Sequence, residues 1–571
     1  MPHAQLTHMN VHKMSMLVSK PENRAKETNR PRNQLVHNHG QSHFWHEHTG
    51  LALLCGGRST RLGTDKGLFR PLADESMVAR ALRLLGNQFT EILVVVKDEE
   101  QAQLYRRELS GHDLPGQSLL VVPDQSATSA ALSGIEAALG ATKLQAIVVL
   151  PVDQVGVRAR HLDDLIAGFS RSTAPAAAYL DTAASDILPF PSVWKKSSYE
   201  RVAALREGGA LSVKRALSEL ESCVVADPAS MAQLRLNCNT LEEFRAYFGT
   251  PLHDPFNRRL HYLRFSLTEA CNLSCTYCLP AGFPEWYRHR ARLSLGDIEK
   301  TLGGFRQLGF RKVRFTGGEP TVHPHCLDAV RLAADLGFED IGLSTNGLLL
   351  KDVRSWRDAG LNRINFSLDA IDAEEFFQIT KSRDVDRVIN AVDEAVQAGI
   401  ETKINAVLLR SINLKSAEAM IDWALARPLT MRFIELMPTG LNLGFSEQER
   451  VLGSELEPFL TARGLRPGAK GGVGPNLRGP ATEWTGGQHR GKIGLINPMS
   501  QNFCDDCNRL RVTARGALRL CLFGKGEAPL LLDSATTVAE SVRTVIGRKP
   551  ERHHLEDNDV GNVATFRTIG G

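Results

Sequence analysis

No apolar run in this 571-residue chain approaches the roughly twenty residues that a membrane-spanning helix needs. The most apolar stretch, residues 144–152, has the length of a strand, so a transmembrane span is not expected. The N-terminal residues also lack the basic, then apolar, then small-residue order of a secretory signal. That removes the usual reason to read cysteines as an extracellular disulfide framework, and a cytoplasmic protein is expected. Charge of one sign is missing too: 68 Lys and Arg against 64 Asp and Glu leave +4. Over this length that is too little for a nucleic-acid coat or a polybasic membrane anchor, so neither nucleic acid nor membrane is an expected partner. Hydrophobic residues at 42% and charged residues at 23% exclude a disordered, collagen-like or mucin-like chain. At about 150 residues per domain the length calls for two to four domains.

Residues 1–49 form a polar tract holding eight of the 18 histidines, His3, His8, His12, His37, His39, His43, His46 and His48, and read as a disordered tail. From residue 50 to 249 short apolar runs alternate with helix-period segments, the pattern of βα units on a parallel sheet. Strands are expected at 51–54, 92–96, 119–122 and 146–149, and helices at 77–85 and 130–139. Residues 237–248 close this domain, and 249–259, with Pro251 and Pro255, form a linker. A second series fills residues 250–571, with strands at 262–267, 312–315, 340–343, 363–367, 403–408 and 432–436. Helical spacing at 327–336, 353–359 and 388–398 separates them. Both series are α/β, and six βα units in succession predict an open, partial barrel rather than a closed eight-stranded one. Beyond Pro438 the alternation weakens, and residues 464–494, rich in Gly and Pro, are expected as loop around a small extension.

The ten cysteines are clustered. Cys271, Cys275 and Cys278 form C-x3-C-x2-C just after a strand. Three thiolates can hold three irons of a [4Fe–4S] cluster and leave the fourth iron open, which implies chemistry rather than electron transfer alone. The alternative is a tetrahedral zinc site, but no His or Cys stands at the usual short offset after Cys278. Cys504, Cys507 and Cys521 make a second trio, again without a fourth cysteine. Cys55, Cys223, Cys238 and Cys326 are expected as buried or loop thiols.

The aromatic Tyr277 completes a C-x3-C-x-aromatic-C loop that resembles the radical S-adenosylmethionine enzymes. Gly317-Gly318-Glu319-Pro320 resembles that family's GGEP motif, whose backbone is expected to receive the amino group of S-adenosylmethionine; glycine permits the close approach. The resemblance implies S-adenosylmethionine contacts from Tyr277, Gly318, Ser367 and Met437 at successive strand ends. Two cysteine trios bracketing the series, Arg264, the run Asn508-Arg509-Leu510-Arg511-Val512 and the final Gly570-Gly571 resemble one subgroup, the GTP 3′,8-cyclases of molybdenum cofactor biosynthesis. That resemblance implies two [4Fe–4S] clusters and a flavodoxin- or ferredoxin-type electron donor. It implies catalytic roles for Arg264, Arg509, Arg511, Gly570 and Gly571, and a GTP site of Arg264, Arg314, Ser344, Lys403, Arg509, Leu510 and Arg511. It also implies the reaction: a 5′-deoxyadenosyl radical takes the ribose 3′-hydrogen of GTP, and C3′ then closes on C8 of guanine while the second cluster orients the base. Guanidinium groups suit this substrate because they stay protonated and pair with phosphate through two donors. Arg509 and Arg511 point the same way if their segment is extended. A peptide-modifying radical enzyme, or two structural zinc sites, are the alternatives.

In the first series, Leu54, Cys55, Gly56 and Gly57 follow the first strand, with Lys66 beyond them; the spacing is not that of a P-loop. Asp124 and Asp153 follow two further strands, at the carboxyl edge where open α/β sheets bind ligands. The set resembles the Rossmann-like nucleotidyltransferases, most closely the molybdenum cofactor guanylyltransferases. It implies GTP contacts from Leu54, Cys55, Gly56, Lys66 and Asp124, Mg2+ on Asp153, and a molybdopterin-type acceptor. Residues 129–134 and Lys97 depart from that family's pattern. A transferase for another nucleotide, or a degenerate structural domain, is the alternative. A homodimer is compatible with the whole reading.

Overall fold

The computed structural model describes residues 45–569 except 46, 57–60, 73–74, 113–115, 125–129, 183, 210–211, 227–230, 281–290, 469–479, 502–503, 554, 556–559 and 562. The N-terminal tract up to residue 44, His46, Gly57, Ser129, Gly570 and Gly571 therefore lie outside the described residues. The chain divides into two compact units, one of Met1–Arg70 and Ser76–Leu241, the other of Pro71–Glu75 and Glu242–Gly571. The division falls inside the segment 237–248. No helix among the described residues is long and apolar enough to cross a membrane, and all ten cysteines are free of disulfides.

The first unit carries β1 (Thr49–Leu54), β2 (Glu91–Val96), β3 (Ser118–Pro123), β4 (Ala146–Pro151), β5 (Ala176–Asp181), β6 (Asp186–Lys195) and β7 (Cys223–Ala226) in the spatial order β3-β2-β1-β4-β6-β5-β7. The first four are parallel, while β6 runs against β4 and β5. β1, β2 and β4 are continuous apolar runs buried along their length, as strands covered on both faces must be. The helix Met77–Leu85 starts where Ser76 accepts the Ala79 N–H, a side-chain cap for a group the helix cannot satisfy itself. On one face Leu93 and Val95 pack with Leu132, Ile135 and Trp194.

The second unit begins with the short pair β8 (Leu252–His253) and β9 (Arg259–Leu260). Its main sheet comprises β10 (Tyr262–Ser266), β11 (Lys312–Thr316), β12 (Asp340–Thr345), β13 (Arg363–Ser367), β14 (Glu401–Val407), β15 (Thr430–Ile434), β16 (Arg466–Pro467), β17 (Thr482–Thr485), β18 (Lys492–Ile496), β19 (Arg509–Val512), β20 (Ala517–Arg519) and β21 (Ala528–Pro529). The order is β16-β17-β18-β15-β14-β13-β12-β11-β10-β19-β20-β21, an open sheet with two ends. The six expected strands are its consecutive parallel centre. Two more strands join them in parallel, β18 beside β15 and β19 beside β10. The expectation of loop for 464–494 is thus corrected, since β16, β17 and the start of β18 lie within it. These strands are short, and only β18 pairs with the edge of β15, with β17 added to β18 and β16 to β17, so no local periodicity announces them.

Alternation along each parallel strand separates two faces. One is apolar: Leu263, Phe265, Val313, Phe315, Ile341, Leu343, Ile364, Phe366, Ile404, Met431, Phe433, Ile493, Leu495, Leu510 and Val512 pack into a single core with the helices. The opposite face carries the residues between them, and these are polar. That second face is the inner one of the open barrel.

Candidate functional site

The strand register lines the inner-face residues into rungs. Arg264 of β10 stands beside Arg314 on one side and Arg511 on the other, and Arg314 beside Gly342. Tyr262 stands between Lys312 and Arg509. Farther round, Asn365 lies between Ser344 and Lys403, and Asn405 between Ser367 and Arg432. The glycines make room: a Cβ on Gly342 would come within 3.2 Å of Arg314 Nη2, and one on Gly494 within 3.0 Å of Arg432 Cγ.

Part of this face neutralises itself. Lys312 pairs with Asp340 at 2.7 Å, Arg363 with Asp340 at 3.4 Å and with Glu401 at 2.7 Å, and Lys403 with Glu401 at 3.0 Å. Two carboxylates cannot balance the remaining arginines. Arg264 Nε, Arg314 Nη1 and Arg432 Nε and Nη2 are buried with no hydrogen-bond partner, as are Ser344 Oγ, Asn365 Oδ1 and Asn405 Oδ1. Burial, and then Arg314, press Arg432 down to about 9. Burial presses Arg264 down to about 10, with Arg314 and Arg509 adding to it. Tyr262 moves the other way from a buried phenol: against burial, Arg314, Arg264, Lys312 and Arg509 bring it down to about 7, and Arg314 Nε donates to its oxygen at 2.7 Å. Unmatched buried donors and mutual repulsion together describe a cavity wall built for a polyanion.

The first cysteine trio sits in the loop after β10, at the carboxyl edge of the sheet. Gly318 N–H donates to the Thr268 carbonyl at 2.7 Å and Glu319 N–H to the Ala270 carbonyl at 2.8 Å. A Cβ on Gly317 or Gly318 would lie 2.4 Å from the Thr268 or Ala270 carbonyl oxygen. The glycines are therefore required by the cysteine loop itself, and only the carbonyls of this turn remain for an amino group. The Glu319 carboxylate receives Thr345 Oγ1 and the Asn346 N–H, both at 2.7 Å, tying β12 to the same turn. Tyr277 donates to Asp369 at 2.9 Å, and Asp369 accepts the Val407 N–H at 2.8 Å. Asn442 donates to the Tyr277 carbonyl at 2.8 Å and to the Met437 carbonyl at 3.4 Å, drawing those two residues together. Gly318, Ser367 and Met437 follow or end parallel strands, so they share one edge with Tyr277.

The second trio lies beside the far end of this face. Cys504 and Cys507 precede β19 in a turn closed by Cys507 N–H on the Cys504 carbonyl at 3.0 Å, and Cys521 follows β20. Lys549 Nζ is 3.7 Å from Cys507 Sγ and donates to the Leu520 carbonyl at 2.6 Å. A cavity of about 450 Å³ opens against Cys521, with Phe523, Lys525, Arg548 and His553 in its wall.

The donor sets fit iron–sulfur clusters. Burial, then Asp369 and the thiols of Cys278 and Cys271, push Cys275 well above its ordinary range, so the first three sulfurs share one neighbourhood. Burial raises Cys504, and Cys507 and Cys521 add to it. Against burial, the Lys549 and Arg509 cations bring Cys507 down. Among the described residues no group of three or more His, Cys, Asp or Glu is arranged to hold a metal ion by itself. Three sulfurs spread over separate irons, one per iron, ask for no such convergence.

The first unit's candidate residues collect at the carboxyl edge of its parallel strands. Cys55 and Gly56 N–H both donate to the Val95 carbonyl, at 2.8 and 3.1 Å. Lys66 Nζ reaches Asp153 Oδ2 and Asn239 Oδ1, both at 2.6 Å. Ser133 donates to Asp124 at 2.6 Å. Asp65 accepts the Gly67 N–H at 2.8 Å and the Tyr105 hydroxyl at 2.7 Å, with Gln101 on its other oxygen. A Cβ on Gly67 would sit 1.9 Å from the Tyr105 hydroxyl, so only glycine fits this turn. Burial, then the Asp65 and Asp153 charges, drive the Cys55 thiol far up, against its hydrogen bond with Tyr105. Asp153 follows β4 at the carboxyl edge with its carboxylate bound by Lys66, and a carboxylate suits Mg2+, which takes one or two carboxylates and fills its remaining positions with phosphate and water.

Residues 265–424 match the radical SAM superfamily, 429–555 the Molybdenum Cofactor Synthesis C family and 51–223 the MobA-like NTP transferase domain. Over 328 residues, 56% of this chain and 96% of the relative, the sequence is 40% identical to the GTP 3′,8-cyclase of Shewanella denitrificans. The chain belongs to the GTP 3′,8-cyclase family. The GTP 3′,8-cyclase of Synechococcus elongatus is 39% identical over 56% of this chain and 99% of its own length. A solved structure, molybdopterin-guanine dinucleotide biosynthesis protein A from Archaeoglobus fulgidus, aligns with 34% of this chain and 95% of its own at 18% identity and a TM-score of 0.29, too distant to carry an argument.

Within the cyclase-family unit, register brings Arg264, Arg314, Ser344, Lys403, Arg509 and Arg511 onto one face, as alternation around Leu510 required of the last two. The Leu510 side chain is fully buried in the core on the opposite face, which leaves its backbone for a contact on the inner face. Sequence reasoning missed Arg432, Asn365, Asn405 and Tyr262. Each stands in an expected strand or begins one, at the spacing of two that sets the inner face, and that spacing could have found them. In the first unit it missed Asn239, Tyr105 and Gln101, which are remote in sequence and carry no motif.

Proposed function

We propose that residues 250–571 cyclise GTP to 3′,8-cyclo-7,8-dihydro-GTP, and that residues 50–249 transfer GMP from GTP to a molybdenum-molybdopterin acceptor. The observation that carries the first reading is the set of buried arginine donors without acceptors on the inner face, between two cysteine trios. Arg264, Arg314, Lys403, Arg432, Arg509 and Arg511 hold the triphosphate, and Ser344, Asn365 and Asn405 take its polar remainder. Cys271, Cys275 and Cys278 hold one [4Fe–4S] cluster and Cys504, Cys507 and Cys521 another. Tyr277, Gly318, Ser367 and Met437 seat S-adenosylmethionine, the Gly318 turn through its carbonyls. When bound, these cofactors supply one-electron cleavage of S-adenosylmethionine and hydrogen-atom abstraction; the protein's part is position and charge. A low-potential flavodoxin- or ferredoxin-type donor feeds the first cluster. Ten free thiols fit a reducing, cytoplasmic setting.

In the first unit, Lys66 and Asp153 are the working pair. Lys66 would pair with a phosphate of GTP and Asp153 would hold Mg2+, which would supply positive charge at the phosphates. The guanylyl reading rests on the carboxyl-edge cluster of Lys66, Asp124 and Asp153.

The test is anaerobic incubation of the reconstituted chain with GTP, S-adenosylmethionine and a reductant. 5′-Deoxyadenosine is expected to accumulate with GTP and not with ATP or without nucleotide. Nucleotide-independent release, or none, refutes the cyclase reading. For the transferase, Asp153→Ala that moves GMP as fast as wild type refutes the Mg2+ role.

A further inference from the structure

The C-terminal residues before Gly570 make contacts that the cyclase reading does not use. Thr565 is fully buried and Arg567, in the short helix Phe566–Ile569, is 3% exposed. Arg567 Nη2 donates to the Leu273 carbonyl, which lies between Cys271 and Cys275. Thr565 Oγ1 sits 3.3 Å from Cys278 Sγ and donates to the Cys278 carbonyl at 3.0 Å. These contacts join residues nearly three hundred positions apart. Leu273 stands two residues from both Cys271 and Cys275, so the guanidinium on its carbonyl brings a positive charge to their loop, while Glu319, whose N–H donates to the Ala270 carbonyl, and Asp369, which accepts from Tyr277, bring carboxylates to the same loop.

We infer that Arg567 is a positioning residue that sets the electron affinity of the first cluster, through its charge beside Cys271 and Cys275 and its hydrogen bond to the loop between them. A reduced cluster carries one more negative charge than an oxidised one. In a buried site a fixed cation therefore favours reduction, and hydrogen bonds that hold the ligand loop tune the same quantity. Glu319 and Asp369 oppose that reduction, and Arg567 offsets them. The step is one electron from a low-potential external donor to the cluster, with no bond made or broken. The same side chain thereby links the seating of the C-terminal segment to the ease of electron entry.

This inference rests on Cys271, Cys275 and Cys278 being cluster ligands, and the experiment separates the two claims. The reconstituted full-length holoenzyme is titrated reductively while the paramagnetic resonance signal that responds to S-adenosylmethionine is followed. That signal is expected in wild type and absent in Cys271→Ala; a signal that survives Cys271→Ala overturns the ligand assignment. Given the signal, Arg567→Gln keeps a donor for the Leu273 carbonyl and removes the charge. It is expected to be reduced about tenfold less readily, a shift of ~59 mV to more negative potential for a one-electron couple. Arg567→Lys is expected to return most of that shift, and Arg543→Gln, on an exposed helix surface, to cause none. A midpoint of Arg567→Gln equal to wild type overturns the inference. Arg567→Met serves as a second neutral variant, and loss of iron from both with retained secondary structure overturns tuning in favour of a purely structural contact.

Discussion

At the carboxyl edge of the first unit's sheet, Lys66 is engaged by Asp153 and Asn239, and Asp65 by Tyr105, Gln101 and a backbone amide. On the inner face of the second unit, Arg264, Arg314 and Arg432 bury N–H groups that meet no acceptor. Both regions are proposed as nucleotide sites, yet the protein pairs their polar groups in opposite ways. The first is internally satisfied, so a nucleotide has to open the Lys66–Asp153 pair before it can use either partner. The second keeps buried cationic donors that no protein acceptor takes, which preorganises it for an anion. The difference lies in the carboxylates: the first unit pairs its lysine with an acid, while the second surrounds two acids with more arginines than they can neutralise.

The widest break in this comparison comes from Arg432→Met. Turnover with GTP is expected to fall by about 10²–10³-fold, the scale of losing one preorganised donor to a developing or bound charge. The nucleotide-free protein is expected to become more stable by about 1–3 kcal/mol, the cost of one unsatisfied buried group. Calorimetry with and without GTP checks both signs. In the first unit Lys66→Met is expected to reduce GMP transfer by about 10²-fold, the range of a positioned charge. Here stability should fall, by up to about 1 kcal/mol, because Asp153 loses its partner. Equal signs for the two variants would collapse the contrast.

Tyr262 sharpens it further. Its folded value, brought down to about 7 by the arginines, lies below the ordinary phenol value of 10. Its ionised form therefore adds stability that is present above the unfolded value and is lost as pH falls through about 7. Tyrosinate ultraviolet absorbance is expected to titrate near neutrality in the nucleotide-free protein, to vanish in Tyr262→Phe and to move up when GTP occupies the cations. No GTP-dependent shift would mean that the triphosphate binds elsewhere. The smallest effect is expected from Gly342→Ala. Its Cβ would press the flexible end of Arg314 from 3.2 Å, raising KM for GTP a few-fold, with kcat unchanged and stability within about 0.5 kcal/mol of wild type.

Much of this arrangement was legible before any coordinates. The six central strands of the second unit follow from apolar runs spaced by helical segments, because each strand is locally patterned and buried on one face. The cysteine trios are legible because their spacing is local. β17 and β18 were not: they follow a Gly- and Pro-rich run, and β17 pairs with β18, which pairs in turn with β15, a partner some sixty residues earlier in the chain. The glycines of the Gly317-Gly318 turn were legible as a close approach, and the loop of Thr268 and Ala270 makes one such approach. Arg432 was visible as the first residue of an expected strand, with nothing local to separate it from a solvated arginine. Only its place between Asn405 and Gly494 makes it an unmatched charge.

Local spacing along the chain sets that two α/β series follow one another, that six cysteines stand in two metal-type trios, and that Arg509 and Arg511 share a face. All of these depend on spacing within a few residues, which the chain carries wherever it goes. The tertiary structure decided which charges go unpaired, that Lys66 meets Asp153 across 87 positions, and that Arg567 meets the first cysteine loop across 294. Those outcomes depend on parallel register and loop closure between distant segments, and on whether a carboxylate happens to stand opposite each cation. No local pattern encodes either.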